Sequence, residues 1–291
     1  MQAPIVIGGS VPGTRHTLPG SPGWKNNQDA FAWQYRPDDE VLVAVVCDGC
    51  SAGEKSEVGA ELTAKYVLQS VFAELDNDDP ENRDGFSWDS VLYAVGAKLD
   101  YLAEDLLNNG SPEDPSRELT KIVEQYFLST IVGVLITPEE ITIFSMGDGV
   151  FAVDGEFQTL GPFPDNKPPY PMLATKKPRE YNYMDSAFRV QTFTDPSIQT
   201  ILIGSDGVLD MIEAHAANAC YPGTDKPVGD ISRLFAPEFF SNPDNLRRHL
   251  ALMNRETVRN GKIVAGLLPD DTTAILIHRS SRVETTTASQ T

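Results

Sequence analysis

Acidic residues at the ends of apolar runs are the residues of this sequence whose type and spacing could do chemistry. The first such run, residues 41–46, contains only valine, leucine and alanine, and Cys47, Asp48 and Gly49 follow it. A short valine-rich run predicts a strand buried on both faces. An aspartate at its end is held at the rim of a core, and the carbonyl of the adjacent glycine can be approached closely. Hard cations prefer such oxygen ligands. An ordinary strand followed by an Asp-Gly turn would have the same sequence pattern.

Further acidic positions share this placement at a predicted strand end. They are Asp29 before residues 30–35, Asp148 after residues 141–146, Asp206 after residues 200–204, and Asp270 before residues 272–277. If these ends lie at one edge of the sheets, the carboxylates converge, and burying them without cations is costly. A ligand set of oxygens, without a His or Cys cluster, favours Mg²⁺ or Mn²⁺ over Zn²⁺. Two such ions could lower the pKa of a bridging water and aim it at phosphorus.

The elements that must position these residues follow from the apolar periodicity. It predicts strands at residues 5–7, 31–35, 41–46, 127–136, 141–146, 150–153, 157–160, 188–194, 200–204 and 272–278. It predicts helices at residues 58–75, 87–106, 208–214 and 244–260. Short turns between consecutive strands indicate antiparallel sheets, and helices between blocks of strands indicate an α+β fold. With no repeat and no linker, residues 1–279 are predicted to form one domain, and the Ser/Thr-rich residues 280–291 a disordered tail.

Composition limits the classes of function. The formal net charge of the 291-residue chain is −19, which should repel nucleic acid and anionic membranes. A phosphate-bearing substrate would then need a local reversal of the field, for which a metal cluster is suited, although acidity can also serve solubility alone. We find no apolar run of ~18 residues and no secretory signal, so we expect no membrane span. Three cysteines argue against a disulfide framework and favour a cytoplasmic location.

The order of five short motifs resembles the metal-dependent protein phosphatases, the type 2C serine/threonine phosphatases, and in particular their bacterial branch. The motifs are NQD at 27–29, VVCDG at 45–49, MGDG at 146–149, GSDGVLD at 204–210 and DDTT at 270–273. Each motif is weak alone, but their order is specific, and the resemblance extends from about Gly13 to Arg279. It implies a sandwich of two antiparallel β-sheets flanked by α-helices, in α-β-β-α layers, with a metal centre at one end.

The resemblance also implies an activity. A metal-activated water would hydrolyse phosphoserine or phosphothreonine on proteins, at a centre of two or three Mn²⁺ or Mg²⁺ ions. The implied partner is a phosphorylated protein in a signalling system, with a Ser/Thr kinase or the targets of such a kinase as candidates. The alternative from another class is a phosphatase-like module that binds a phosphoprotein or senses a ligand with little turnover.

Carried over residue by residue, the resemblance assigns metal ligands. Asp48 resembles the bridging ligand and Gly49 would supply a backbone carbonyl. Asp206 and Asp270 match the remaining ligands of the first ion, and Asp29 matches the residue that holds water around the second. Asp148 matches the carboxylate of a third, weaker site that it shares with Asp206.

Other positions depart from the family pattern or lie beside the ligands. Asp271 stands where the family usually has Asn, and Gln28 where it often has Glu, so both are expected to support the ligands rather than bind metal. The arginine that often grips the phosphate is missing, and Lys25 or Arg15 is predicted to replace it. Cys50 stands where eukaryotic relatives have a histidine that is a candidate general acid, so leaving-group protonation would fall to a metal-bound water or matter less.

Two further features could have a function. The proline-crowded residues 161–178 match the variable flap of the family, a substrate-selecting element, and a surface excursion is the plain alternative. Cys47 and Cys50 form a C-x-x-C pair, which can indicate zinc or redox chemistry. No second pair exists, so buried small side chains are the expected role. Among the histidines, His16 lies nearest the predicted site.

Overall fold

A computed structural model describes residues 3–17, 26–77, 85–110, 113–176, 187–259 and 261–279. Lys25 and the predicted tail at residues 280–291 lie outside the described residues. No helix in the described segments combines the length and the apolar character that crossing a bilayer requires. The assignment of residues 1–279 to one domain stays a prediction.

The strands and helices alternate in blocks along the described chain. The strands are β1 (Ile5–Val11), β2 (Asp29–Arg36), β3 (Val41–Asp48), β4 (Ile131–Ile136), β5 (Ile141–Met146), β6 (Gly149–Val153), β7 (Glu156–Leu160), β8 (Arg189–Phe193), β9 (Thr200–Gly204), β10 (Thr257–Arg259), β11 (Lys262–Val264) and β12 (Thr272–His278). The α-helices are α1 (Thr14–Thr17), α2 (Ser56–Leu75), α3 (Trp88–Asn108), α4 (Pro115–Tyr126), α5 (Pro171–Lys176), α6 (Val208–Ala216) and α7 (Asn245–Met253).

The strands form two five-stranded antiparallel sheets and a small hairpin. The first sheet has the order β1-β12-β9-β6-β7, the second has the order β2-β3-β4-β5-β8, and β10 pairs with β11. The hairpin predicted between β2 and β3 is present, with Arg36 opposite Val41. The two sheets pack face to face, and helices cover both outer faces, as the α+β sandwich prediction requires.

Strand β3 lies between β2 and β4 in the second sheet and is buried on both faces. Val43 and Val45 point into the core beneath α2, α3 and α4, whereas Leu42, Ala44 and Val46 point into the core between the two sheets. Alternate side chains of one strand therefore supply two separate cores. This explains why the run in the sequence is continuously apolar rather than alternating, and it confirms the predicted doubly buried strand.

Helices α3 and α4 begin where a capping side chain accepts a hydrogen bond from one of their first N–H groups. The side chain of Ser87 accepts a hydrogen bond from the backbone N–H of Ser90, and that of Asp114 accepts one from Arg117. Helix α2 packs against β2 and β3, and α7 packs against β1. The helix predicted at residues 58–75 is present as α2, although Val58 is 42% exposed whereas Gly59 and Ala60 are buried.

Three predicted elements differ from the structure. Helix α4 was not predicted: its other residues are mostly polar, and Leu119, Ile122 and Tyr126 beside the buried Val123 are only partly buried. The strand expected from residue 127 starts only at Ile131. The helix expected at residues 244–260 ends at Met253, since the Asn254 side chain bonds the carbonyl of Pro12 and β10 follows. The loop at residues 161–178 contains helix α5.

Two buried histidines join α6 to α7. Nδ1 of His215 lies 2.8 Å from the carbonyl oxygen of Gly229, so it carries the proton and donates. In its neutral form Nε2 of His215 must then accept from Nε2 of His249, 3.0 Å away. The remaining nitrogen of His249, Nδ1, accepts from the hydroxyl of Tyr221 at 3.0 Å. The bonds therefore run in one direction, from Tyr221 to Gly229, and hold only while both rings are neutral.

Burial keeps these rings neutral. It lowers the pKa of His249 to about 4, with further lowering by the charges of His215 and Arg233. It also lowers the pKa of His215, against the opposing hydrogen bond to Gly229 and the charge of Asp230. An unfolded histidine has a pKa of about 6.5. Below pH 6.5 the two histidines bind protons in the unfolded chain but remain neutral in the folded protein. Protonation therefore favours the unfolded state, so the contribution of this pair to stability is complete above pH 6.5 and falls as the pH drops.

The variant His249→Gln tests this sign. Glutamine can donate and accept in place of the ring but does not titrate, so the advantage of the wild type over the variant should shrink by about 2 kcal/mol between pH 7 and pH 5. Urea unfolding of both proteins at the two pH values measures it, and comparison within each pH cancels the titration of the carboxylates. An unchanged difference between the two proteins would contradict the assignment.

Candidate active site

The strand ends that carry the predicted aspartates meet at one end of the sandwich. Asp29 at the start of β2 lies directly opposite Asp48 at the end of β3. Asp148, Asp206 and Asp270 come from the turns at the ends of β5, β9 and β12. A cleft of about 800 Å³ opens here, and Asp48, Asp148, Asp206 and Asp270 all line it. The geometry on which the sequence argument depended is therefore present.

Asp48 is at the centre of the cluster. Burial, followed by the charges of Asp29, Asp206 and Asp270, raises the pKa of its carboxyl group well above the usual range. The carboxyl groups of Asp29, Asp206 and Asp270 are thus near enough to Asp48 to act on its charge. A cation bound among them would relieve this repulsion.

Asp29 connects the two sheets. The hydroxyl of Ser205, which follows β9, donates to Oδ2 of Asp29 at 2.7 Å. Burial and then the charge of Asp271 raise the pKa of Asp29 to about 7, against the lowering effect of the Ser205 hydrogen bond. The other oxygen, Oδ1, is buried and has no hydrogen-bond partner among the described residues. Such an atom requires an explanation, and a bound ion or its water would supply a partner.

Asp206 and Asp148 occupy the more open side of the cleft. Burial, with the charges of Asp270 and Asp148, raises the pKa of Asp206 to about 6. Burial also raises the pKa of Asp148. These carboxylates lie close enough for their charges to interact, and they are less buried than Asp48.

Asp271 holds the backbone around the cluster. Its Oδ1 accepts from the backbone N–H of Gly13 at 2.6 Å and lies 2.9 Å from Nδ1 of His16. Its Oδ2 accepts from the backbone N–H of Gln28 at 2.6 Å. The carboxylate thereby fixes the approach of α1 and of β2 to the start of β12. The contact with Asp271 also gives His16, the histidine nearest the predicted site, a structural role.

Gln28 supports the loop that follows Asp48. Its side-chain nitrogen is bonded to the hydroxyl of Ser56 and lies 3.3 Å from the carbonyl oxygen of Gly53. The backbone N–H of Gly49 donates to the carbonyl of Gln28 at 3.1 Å. A Cβ atom at Gly49 would come within 2.7 Å of that carbonyl, so a glycine is required for this close approach.

The donor set fits a hard divalent cation. Its side chains offer oxygens only, which suits Mg²⁺ or Mn²⁺, and the buried Oδ1 of Asp29 lacks a partner. Among the described residues, however, no three His, Cys, Asp or Glu side chains already have the arrangement of a metal site. The carboxylates are instead neighbours around Asp48 that raise one another's pKa, and Asp48, Asp206 and Asp270 would be the side chains to hold a cation.

The loop at residues 161–178 supplies cleft residues that the sequence argument missed. Lys167 and Tyr170 both line the cleft. The Tyr170 hydroxyl is hydrogen-bonded to Cys50, and burial, ahead of that bond, raises the pKa of Tyr170. Cys50 is therefore not isolated at the position of the family histidine. Only the crowding of prolines marked this loop as functional, and no periodicity singled out these two side chains.

The residues predicted to grip phosphate are placed differently. Lys25 lies outside the described residues. Arg15 is exposed at the start of α1, and its charge lowers the pKa of Asp210, against the raising effect of burial there. Arg15 is not among the described residues that line the cleft, whereas Lys167 is the one cation among them.

Comparison with known proteins defines the class. The family model for protein phosphatase 2C matches residues 13–239. The chain belongs to this family, which supports serine/threonine phosphatase activity.

Solved structures show the same fold at low sequence identity. A bacterial serine phosphatase has a TM-score of 0.51 and 14% identity, with coverage of 95% of this chain and 98% of that one. A sex-determining protein of C. elegans has a TM-score of 0.52 and 15% identity, with coverage of 96% of this chain and 65% of that one. No curated protein sequence matches this chain.

The contacts of Gln28 predict that glutamate, the residue that the family often has at this position, would destabilise this protein. The variant Gln28→Glu removes the donor to Ser56 and Gly53 and adds a charge beside Asp29, so it should lower the free energy of unfolding of the metal-free protein by about 3 kcal/mol. Urea unfolding measures this loss. The matched control is Gln34→Glu at an exposed position of β2, the strand that follows Gln28, with an expected change within about 0.5 kcal/mol. Equal effects of the two changes would refute the supporting role of Gln28.

Proposed function

We propose that this protein hydrolyses phosphoserine and phosphothreonine on proteins, with Mg²⁺ or Mn²⁺ held by its aspartate cluster. The observation that carries the proposal is the convergence of Asp48, Asp148, Asp206 and Asp270 on one cleft, with Asp29 against Asp48. Carboxylates gathered in this way repel an anionic phosphate unless cations reverse the local field. Family membership supports the phosphatase class.

The same residues would hold the ions. Asp48, Asp206 and Asp270, with the backbone carbonyl of Gly49, are the candidate ligands, and Asp29 would position water beside them. Asp148 would hold a further ion together with Asp206. When bound, such cations neutralise charge on the phosphoryl group and lower the pKa of a coordinated water.

The protein's own contribution is preorganisation of this cluster. The backbone N–H of Thr130 donates to the carbonyl of Asp48 at 2.8 Å, and that of Cys50 donates to the carbonyl of Leu128 at 2.9 Å. These bonds fix the turn after β3, and with it the direction of the Gly49 carbonyl. A site held by strands and turn hydrogen bonds needs little rearrangement when substrate binds.

The second candidate function is a phosphoprotein-binding module with little turnover. It is favoured by the cleft's lining: no arginine is present among the described lining residues, and Lys167 is their one cation. Weak phosphate capture would limit turnover without preventing recognition. The two functions differ in a direct measurement of hydrolysis.

The first test is metal-dependent turnover of a small aryl phosphate. We expect hydrolysis of p-nitrophenyl phosphate with Mn²⁺ or Mg²⁺, and its loss after chelation, because the carboxylate cluster alone repels the substrate. Restoration by added Mn²⁺ controls for damage by the chelator. Absence of turnover with either ion, on this substrate and on a phosphothreonine peptide, would favour the binding module instead.

The second test separates activity from folding. The variant Asp48→Asn should lower kcat by at least about 100-fold, because it removes the central ligand. The same change should raise the free energy of unfolding of the metal-free protein, since folding then no longer has to bury this carboxylate or protonate it. The control Asp225→Asn alters an exposed loop residue and should change neither quantity. Normal turnover by Asp48→Asn would remove Asp48 from the ligand set.

A further inference from the structure

A second hollow lies on the other side of the loop that borders the cleft. Its volume is about 440 Å³. The described residues that line it are a glycine, three prolines, one aromatic residue and two cations: Gly161, Pro162, Phe163, Pro164, Lys167, Pro169 and Arg189. Proline and glycine offer backbone carbonyls and apolar surface, so the two cations decide which charge the hollow accepts.

Arg189 is held firmly at this hollow. It begins strand β8 at the edge of the second sheet and pairs with Ser145 of β5. Its guanidinium carbon lies 4.8 Å from the centre of the Phe163 ring, a cation–π contact that orients the planar group. The side chain is exposed, so its donors can reach a ligand. Arginine in such an orientation can form paired hydrogen bonds with a carboxylate or a phosphate.

The hollow is immediately adjacent to the aspartate cleft. Lys167 lines both of them. A Cβ atom at Gly161 would lie 3.2 Å from Cβ of Asp148, and one at Gly147 would lie 3.3 Å from the carbonyl oxygen of Pro169. The hollow and the cleft are therefore separated by a single loop segment, which packs directly on the turn that carries Asp148.

The charges of the two cavities are opposite. Five aspartates and two glutamates are among the described residues that line the cleft, whereas no acidic side chain is among those that line the hollow. The chain has a net charge of −19. Two cations without carboxylates among the described lining residues therefore make the hollow locally positive. A substrate would meet positive charge here beside its reacting phosphate.

We propose that Arg189, Phe163 and Lys167 form a subsite for an acidic side chain of the phosphorylated substrate, within a few residues of the phosphate that is hydrolysed. The proposal rests on the proposed phosphatase function of the neighbouring cleft. The bound group is an anion that either a carboxylate or a second phosphate can supply. The protein would thus prefer phosphorylated sites with acidic flanking residues.

The experiment compares peptides that differ only beside the phosphothreonine. One carries glutamine on both sides, one carries glutamate, and one carries a second phosphothreonine; p-nitrophenyl phosphate serves as a substrate that cannot reach the hollow. In the wild type we expect a higher kcat/KM for the acidic peptides. In Arg189→Gln this preference should fall about fivefold, with p-nitrophenyl phosphate turnover unchanged. The glutamate and double-phosphate arms identify which anion is preferred.

The control is Arg248→Gln, the same change at an exposed position of α7, which should leave the preference intact. A second variant, Phe163→Leu, removes the aromatic face and should weaken the preference without altering the charge. Raised ionic strength should diminish it further. An equal fall in Arg248→Gln, or an unchanged preference in Arg189→Gln, would overturn the subsite.

Binding separates this proposal from the phosphatase proposal. Fluorescence anisotropy of the labelled peptides reports the affinity ratio between the glutamate and glutamine peptides without any hydrolysis. A ratio that falls in Arg189→Gln supports the subsite even if turnover is absent, which would overturn only the enzymatic function. A ratio equal to one in the wild type, with normal turnover of p-nitrophenyl phosphate, would overturn the subsite and leave the phosphatase function in place.

Discussion

The burial of like charges is the constraint on which this site depends. Asp48 and Asp29 lie opposite each other at the end of a sheet, and Asp206 and Asp270 approach from the other sheet. Hydrophobic burial would not gather these groups, since each loses hydration and each repels its neighbours. The fold tolerates them because strands on both sides are fixed by the rest of the core. A cation would relieve this repulsion, so binding of the proposed ions would raise the stability of the protein.

The two-sheet architecture makes the gathering possible. The aspartates lie far apart in the chain, yet antiparallel strands return repeatedly to the same end of the sandwich, and each return places one turn at the cleft. The inner core between the sheets holds these ends in register, while the helices supply separate outer cores. Asp271 and Gln28 then fix the backbone with hydrogen bonds rather than with charge at the centre. The positions of the aspartates are therefore set mainly by strand ends, whereas loops at residues 49–54 and 165–170 line much of the cleft.

Local sequence pattern predicts many of the strands and the acidic positions at their ends, whereas the remaining features depend on contacts between residues far apart in the chain. An aspartate that breaks an apolar run is visible in the sequence, so both the strands and the acidic positions at their ends could be predicted. Helix α4 was missed although Leu119, Ile122 and Tyr126 follow helical spacing, because the helix is short and its remaining residues are mostly polar. The end of α7 depends on the bond from Asn254 to Pro12, a residue distant in the chain. Lys167 and Tyr170 reach the cleft from a loop without periodicity, so only folding in three dimensions identifies them.

The pairing of β1 with β12 has a consequence for the order of assembly during translation. The second sheet takes its last strand, β8, from the middle of the chain, so it can close while the ribosome is still adding residues. The first sheet cannot, since its strand order places β12 between β1 and β9. Asp270 precedes that strand, and the acidic cluster is therefore incomplete until the final part of the fold emerges. The nascent chain would pass through a stage in which Asp48 is in place without Asp270. The proposed metal site would form only when the first sheet closes.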